Sequence, residues 1–277
     1  MTRPLRVAII GSGPSGMYAA DALVGQSDVE VSVDIIDRLP SPFGLVRYGV
    51  APDHLSIRSV RDTLDKVLDH PQVRFLGNVE VGRDLSLAQL REFYDAIVFT
   101  YGASRDRALG IPGEDLPGSI AATDFVNWYT GHPDTSPDAF VDFLASSRSV
   151  AVVGVGNVAV DVTRVLSKAP GEIEHTDMPE HVFAALRASG VRDVHVIGRR
   201  GPAQATWTTK ELRELGELEE AQVLVAEGAD TYDPASHRAI GDDKAVARNV
   251  AVVEGWTAHV DDGRSRTIHL HFRCRPG

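Results

Sequence analysis

Short apolar runs alternate along the chain with longer stretches in which apolar residues recur every three or four positions. Leu5–Ile10, rich in β-branched residues, predicts a buried strand, and 14–24 has helical spacing. Val31–Ile36 predicts a second strand that ends at Asp37. A polar, proline-containing loop follows to about Ser56, and helical periodicity resumes over 57–68. Val73–Leu76 and 79–81 predict short strands, Leu87–Phe93 a helix and 96–100 a buried strand. The composition then turns to Gly, Pro and charge over 102–117, where the chain is expected to cross between domains.

The second half starts the pattern again. An apolar run at 150–153 meets Gly154, and helical spacing occupies 158–166. A charged insert with a helical pattern around 179–189 precedes a strand at 194–197, which ends in Gly198-Arg199-Arg200. Residues 210–220 predict a charged amphipathic helix. From about Gln222 onward, alternating strands are expected, with Asp261-Asp262-Gly263 as a hairpin turn. The strand–Gly–helix plan occurs twice, which implies two similar α/β units rather than a short-period solenoid.

The two glycine turns carry the chemistry. Gly11-Ser12-Gly13-Pro14-Ser15-Gly16 fits GxGxxG behind a strand and ahead of a helix. In that pattern Gly11 permits the tight turn, Gly13 lets the backbone approach a pyrophosphate, and Gly16 allows close helix–strand packing. The helix start then offers free N–H groups to phosphate. Asp37 follows Gly16 by 21 residues, at the end of the next strand, where a carboxylate can accept from ribose hydroxyls. An acid there repels a 2′-phosphate, so the first turn suits FAD or NAD.

Gly154-Val155-Gly156-Asn157-Val158-Ala159 fits GxGxxA behind the run that begins at Ser149. The strand that follows ends in Arg199-Arg200, where a NAD site would carry an acid. Paired guanidiniums match a 2′-phosphate in charge and fork geometry. Arg199 stands 40 residues beyond Ala159, a separation that the helical insert accounts for. One chain with two such turns of opposite preference holds a permanent carrier and an exchangeable one. Hydride transfer between nicotinamide and flavin is the reaction this pairing suggests.

Composition narrows the field further. The 277 residues are 43% hydrophobic and 24% charged, ordinary for a globular protein with a normal core. A net charge of −11 argues against sequence-independent nucleic-acid binding, and weakly against an acidic membrane surface. The single cysteine, Cys274, leaves no internal disulfide, no CxxC pair and no iron–sulfur ligation. It also suits a cytoplasmic location. The apolar run at the N-terminus is too short for a signal sequence, and no stretch approaches the roughly 18 apolar residues of a transmembrane helix. No metal site is expected.

Three motifs extend the reading: residues 42–54, written PFGLVRYGVAPDH, residues 154–161, written GVGNVAVD, and residues 198–215, written GRRGPAQATWTTKELREL. Through them the chain resembles the adrenodoxin reductase-like ferredoxin–NADP reductases, including the actinobacterial ones, over its whole length. The resemblance implies an α/β fold with two Rossmann-like dinucleotide-binding domains, an FAD domain and an inserted NADP domain. It implies FAD contacts at Ser15, Asp37, Leu45 and Val81, beside the turn of Gly11, Gly13 and Gly16. It implies NADP contacts at Gly154, Val155, Gly156, Asn157, Arg199, Arg200 and Glu211. His54 and Asp161 match a histidine and an acid near flavin and nicotinamide. A ferredoxin-type iron–sulfur protein is the implied electron acceptor.

On this resemblance, 1–104 is the N-terminal part of the FAD domain and 105–277 the NADP domain. Relatives in the family carry a C-terminal segment that returns to the FAD domain, with Gly-Trp and Gly-Pro-x-Gly stretches, and no such stretch occurs here. The FAD domain is therefore expected to be incomplete, and a nucleotide-binding remnant with little turnover is the alternative. A disulfide reductase is excluded by the lone cysteine. A Baeyer–Villiger monooxygenase lacks its FxGxxxHxxxWP stretch, and the glutamate synthase module lacks its cysteine clusters. Without the motifs, His54 reads as a turn or capping residue, Asp161 as a helix-dipole partner, and Glu211 as one charge on an exposed helix.

Overall fold

Apolar side chains on both faces of Leu5–Ile10 and Val31–Ile36 suit strands that are covered on both sides, the environment of a parallel sheet. The computed structural model describes residues 3–54, 59–103 and 105–274. These fall into two compact units, Met1–Asp106 with Thr130–Asp134, and Arg107–Tyr129 with Thr135–Gly277.

The first unit contains β1 (Leu5–Ile10), α1 (Pro14–Gly25), β2 (Val31–Ile36), α2 (Leu45–Tyr48), α3 (Val60–Leu68), β3 (Val73–Leu76), α4 (Leu87–Phe93) and β4 (Ala96–Phe99). Its strands lie in the order β3-β2-β1-β4, all parallel, with Leu5 opposite Val31 and Val7 opposite Ala96. Val7, Ile9, Val33 and Ile35 pack on Met17, Ala20, Leu64 and Val67 of α1 and α3. On the opposite face Ala8, Ile10 and Ile36 meet Leu90 of α4. That helix starts in a reciprocal box, in which Ser86 accepts from the Gln89 backbone and Gln89 accepts from the Ser86 backbone.

One polar group is buried in this sheet. Asp34 accepts both N–H arms of Arg74 at 2.9 and 2.7 Å and the Tyr94 hydroxyl at 2.7 Å. Burial, with the carboxylate beside it, pushes the Tyr94 hydroxyl up to about 12. The tyrosine therefore stays a donor and the network stays satisfied.

The second unit contains α5 (Ala122–Tyr129), α6 (Val141–Ser146), β5 (Ser149–Val153), α7 (Asn157–Ser167), α8 (Pro170–Ile173), α9 (Glu180–Arg187), β6 (Asp193–Gly198), α10 (Thr209–Glu214), β7 (Ala221–Val225), α11 (Pro234–Asp242), α12 (Lys244–Trp256) and β8 (Arg266–Phe272). The strand order is β5-β6-β8-β7, again parallel throughout. Val160, Val196, Val223, Val253, Ile268 and Leu270 share its main core with Trp207 and Trp256.

The structure corrects four expectations. Residues beyond Gln222 form one strand, two helices and a final strand, not a run of strands. Asn249, Val250, Val253 and Trp256 are buried at helical spacing, and the Asp243 carboxylate caps the helix by accepting from Ala245 N–H at 2.6 Å. Asp261-Asp262-Gly263 is not a hairpin: Gly263 sits at φ +79° and donates its N–H to Asp261 Oδ1 at 2.9 Å. It precedes a strand that pairs parallel with β7, and such pairing needs a crossover rather than a two-residue turn.

Residues 79–81 form only an isolated bridge, Val81 to Leu85, and no strand. The helix expected over 210–220 ends as α-helix at Glu214 and tightens into a 3₁₀ turn at Leu215–Glu217. There Gly216 sits so close to the Trp256 ring that a Cβ would meet it at 2.9 Å. The change from loop to helix expected at Ser56 and Ile57 lies outside the described residues. The loop before it contains the short α2 helix.

Candidate dinucleotide sites

In the first unit the chain leaves β1 and turns back at Gly11, which has φ +107° and donates its N–H to Ile36 O at 2.8 Å. A side chain there would strike Tyr101 Cα at 2.6 Å. Gly16 is tighter still, since a Cβ would lie 2.1 Å from Gly11 O. Thr100 locks the same spot by donating its hydroxyl toward Ile10 O at 3.0 Å and Gly11 O at 2.9 Å. Gly13 has no atom within 4 Å of its would-be Cβ, so the turn is open there. Gly13 caps α1 with extended backbone, and no side chain caps the helix. A helix start with free amides and an open approach is what a pyrophosphate needs.

The loop quoted above as residues 42–54 folds onto this turn. Phe43 is buried at φ +86° and donates its N–H to Ser12 O at 2.9 Å. Gly44 comes so near that a Cβ on it would meet Gly13 Cα at 2.9 Å. Leu45, the next residue, is 71% exposed, as is Tyr101. Ser15 is exposed in the first turn of α1. Val81 is half-buried beside Ile10 and Leu85.

Asp37 stands at the end of β2, where the pattern puts it. Its Oδ2 accepts from Ser12 N–H at 2.7 Å and from the Ser12 hydroxyl at 2.6 Å, while Oδ1 accepts from Leu39 N–H at 2.9 Å. A carboxylate offers about four acceptor positions, so roughly one remains for a ribose hydroxyl. His54 is buried, and its backbone N–H donates to Ala51 O at 3.0 Å.

The second turn is looser. Gly154 has φ +139° and donates to Ile197 O at 3.0 Å. Ala159 takes the place of a third glycine, and its Cβ lies 3.9 Å from where a Gly154 Cβ would be. Gly156 starts α7 in extended backbone, without a side-chain cap. The segment after β6 closes on this turn. Thr206 N–H donates to Val155 O at 2.9 Å, and Thr208 N–H donates to Asn157 Oδ1 at 2.8 Å.

Arg199 and Arg200 end β6 and are exposed. Glu211, expected on an exposed helix face when read without the motifs, is buried. Its Oε2 has no hydrogen-bond partner among the described residues. An orphaned buried carboxylate oxygen calls for a missing donor. Asp161 is held by Arg164, whose Nη2 donates to Oδ1 at 2.8 Å, and the same guanidinium lies 3.4 Å from Glu214. An ion pair with a side chain one turn on along the same helix, rather than the helix dipole alone, sets its surroundings.

Residues 5–214 match the pyridine nucleotide-disulphide oxidoreductase family. The chain belongs to that family. Within it, the chain is 44% identical to NADPH-ferredoxin reductase FprA of Mycobacterium leprae, over 98% of this chain and 59% of the relative. It is 42% identical to the mitochondrial NADPH:adrenodoxin oxidoreductase of Arabidopsis thaliana, over 99% of this chain and 57% of the relative. The solved structure of Mycobacterium tuberculosis FprA in complex with NADPH superimposes with a TM-score of 0.89 at 41% identity, covering 98% of this chain and 60% of that one. The chain thus spans about three-fifths of the length of these family members.

Pattern reading passed over Ser12, Phe43, Gly44, Thr100, Tyr101, Thr206 and Thr208 as individual site residues. Ser12 lay inside the first glycine motif and Phe43-Gly44 inside the quoted loop, so position could have flagged them. Thr100 and Tyr101 carry no motif, and only the sheet brings them to the turn. Among the described residues no helix is long and apolar enough to cross a membrane, and no group of three or more His, Cys, Asp or Glu could hold a metal ion.

Proposed function

We propose that this chain carries the FAD-binding and NADPH-binding parts of a reductase that passes electrons to a ferredoxin-type iron–sulfur protein. The observation that carries the reading is the pair of uncapped helix starts whose strand-end partners have opposite charge: Asp37 after the first, Arg199 and Arg200 after the second. A bound FAD would supply the chemistry needed, acceptance of hydride from NADPH and release of electrons one at a time to an iron–sulfur acceptor.

The residues divide the work. Backbone amides at Ser15 and Gly16 meet the FAD pyrophosphate, and Gly11 and Gly13 keep the approach clear. Asp37 accepts from the adenosine ribose, and Leu45 and Val81 supply apolar surface. His54 lies near the flavin and tunes its electrostatics. In the second unit Gly154, Val155, Gly156 and Asn157 hold the NADPH pyrophosphate. Arg199 and Arg200 grip the 2′-phosphate, Glu211 accepts from the nucleotide, and Asp161 orients the nicotinamide end through its ion-paired carboxylate. A cytoplasmic location belongs to the same reading and is checked by cell fractionation.

A visible spectrum of the purified chain tests the proposal. Flavin bands that bleach faster with NADPH than with NADH, followed by reduction of an added ferredoxin, are expected. A second reading is nucleotide binding with little turnover. It predicts a colourless protein that still binds NADPH, and a protein that binds neither nucleotide overturns both.

A further inference from the structure

Arg273 lies just past β8, the strand beside β6, and its surroundings set it apart from the other exposed arginines. Its backbone sits at φ +57°, a left-handed conformation that residues with a Cβ rarely adopt. In that conformation its N–H donates to Arg200 O at 3.2 Å, and the N–H of Cys274 donates to Gly198 O at 3.1 Å. The two amides clip the chain onto the segment that carries Arg199 and Arg200. The Arg273 guanidinium then crosses Gly201, where a would-be Cβ lies 3.3 Å from Nη2. It donates from Nη1 to Gly228 O at 2.6 Å and from Nη2 to Thr231 O.

The neighbourhood makes that placement consequential. The loop it grips carries Glu227, Asp230 and Asp233, all exposed. Three carboxylates on a loop tied to the Arg199–Arg200 turn oppose a phosphate dianion unless a cation stands between. The turn has a second tie, to the helix that follows this loop: Gln204 accepts from Gly201 N–H at 3.2 Å and donates to the Ser236 hydroxyl at 3.0 Å. Ser236 N–H in turn donates to Asp233 at 2.7 Å. Arg273 supplies the positive charge in this bracing.

We infer that Arg273 is a positioning residue for 2′-phosphate selection, fixing the Arg199–Arg200 turn through its backbone and screening it from the acidic loop through its guanidinium. The inference rests on the reading of Arg199 and Arg200 as the 2′-phosphate site. It adds a residue 73 positions beyond Arg200 that no glycine motif reaches. The ligand chemistry it recognises is an adenosine carrying a 2′-phosphate.

Calorimetric titration of the 277-residue chain with 2′,5′-ADP and with 5′-ADP, at low salt, tests it. Arg273→Gly accepts the left-handed backbone and removes the whole side chain, its guanidinium included. It should weaken 2′,5′-ADP binding about threefold to tenfold, the size of one charge-assisted contact made less favourable, and leave 5′-ADP unchanged. Arg273→Lys keeps the charge and should restore part of the loss. In an Arg200→Ala background the Arg273→Gly effect should shrink, because the two residues act on one phosphate. Equal weakening of both ligands would show a purely structural prop and overturn the inference, as would an unchanged preference. If the unmodified chain does not prefer 2′,5′-ADP to 5′-ADP, the 2′-phosphate site itself is wrong and the inference falls with it.

Discussion

The two glycine turns follow the same strand–turn–helix plan and are built to different tolerances. At the first, Gly16 lies where a Cβ would overlap a carbonyl oxygen, and Thr100, Phe43 and Gly44 crowd in from other segments. At the second, an actual alanine occupies the third position with room to spare. The strand-end residues differ in the same sense. Asp37 is woven into the turn through Ser12 and Leu39, whereas Arg199 and Arg200 extend into solvent. A tight, internally bonded turn suits a nucleotide that stays, and a loose turn with free cations suits one that comes and goes.

Substituting the third small residue of each turn gives the largest contrast. Gly16→Ala should cost on the order of 3 kcal/mol or more, because backbone rather than a flexible side chain must move. Ala159→Gly should cost only about 1 kcal/mol, the helix-propensity difference. Urea melts of the two variants measure this, and similar losses would show that the turns are equally tight.

Asp37→Ala comes next. It removes the acceptor from three donors, two of them on the buried Ser12, and hydrogen bonds to a charged group contribute roughly 1.5–3 kcal/mol each. A loss of about 2 kcal/mol in stability and weaker FAD retention are expected, with the NADPH preference untouched. FAD titration of the apoprotein checks the second point, and unchanged affinity would remove Asp37 from the flavin site.

Arg200→Ala should leave stability near that of the parent, since the side chain is exposed. It should weaken NADPH binding by roughly tenfold to a hundredfold, with little effect on NADH. Competitive binding at low salt decides the matter, because a variant that discriminates as well as the parent has lost no phosphate contact.

The smallest contrast concerns acid. The sheet of the second unit carries His195, His269 and His271 on one face. His195 Nδ1 lies 3.0 Å from His271 Nε2, and His269 lies 3.1 Å from Asp193. Burial first, then the neighbouring imidazoles, holds His195 below the ordinary histidine value, and His271 is depressed for the same reasons. A depressed histidine binds its proton more readily when unfolded. The stability it contributes is thus present above the ordinary value of 6.5 and lost as pH falls through the lower folded value. The first unit has one such residue, His132, also depressed by burial. Hydrogen exchange at pH 7.5 and 5.5 should show greater loosening in the second unit, and His195→Asn should reduce it. Equal loosening of both sheets would count against the cluster.

Much of the fold could be read locally. Strands β1, β2, β3 and β6 and helices α1 and α4 stand close to their hydrophobic patterns, because each buries a face with its own period. The region after Gln222 misled for a physical reason. The β-branched Val246, Val250, Val252 and Val253 favour strand locally and offset the helix preference of Ala245 and Ala247, and Asp-Gly turns occur outside hairpins. Packing of Val253 and Trp256 against the sheet makes that stretch helical. Asp161 has its ion-pair partner Arg164 three residues on in the same helix, but the approach of Glu214 to that guanidinium comes from a segment distant in sequence.

By itself the sequence determined the two glycine turns, their order, the strand-end charges and hence the class of ligand each turn suits. Those depend on neighbours a few residues away and on side-chain chemistry that needs no partner. The tertiary structure decided how close the turns pack, that Asp37 is shared with Ser12 and Leu39, that Glu211 is buried, and that Arg273 returns to Arg200. Apart from the contact of Asp37 with Leu39, these are meetings between segments far apart along the chain. Pattern along a chain cannot encode such a meeting, because parallel pairing leaves the distance between partners free.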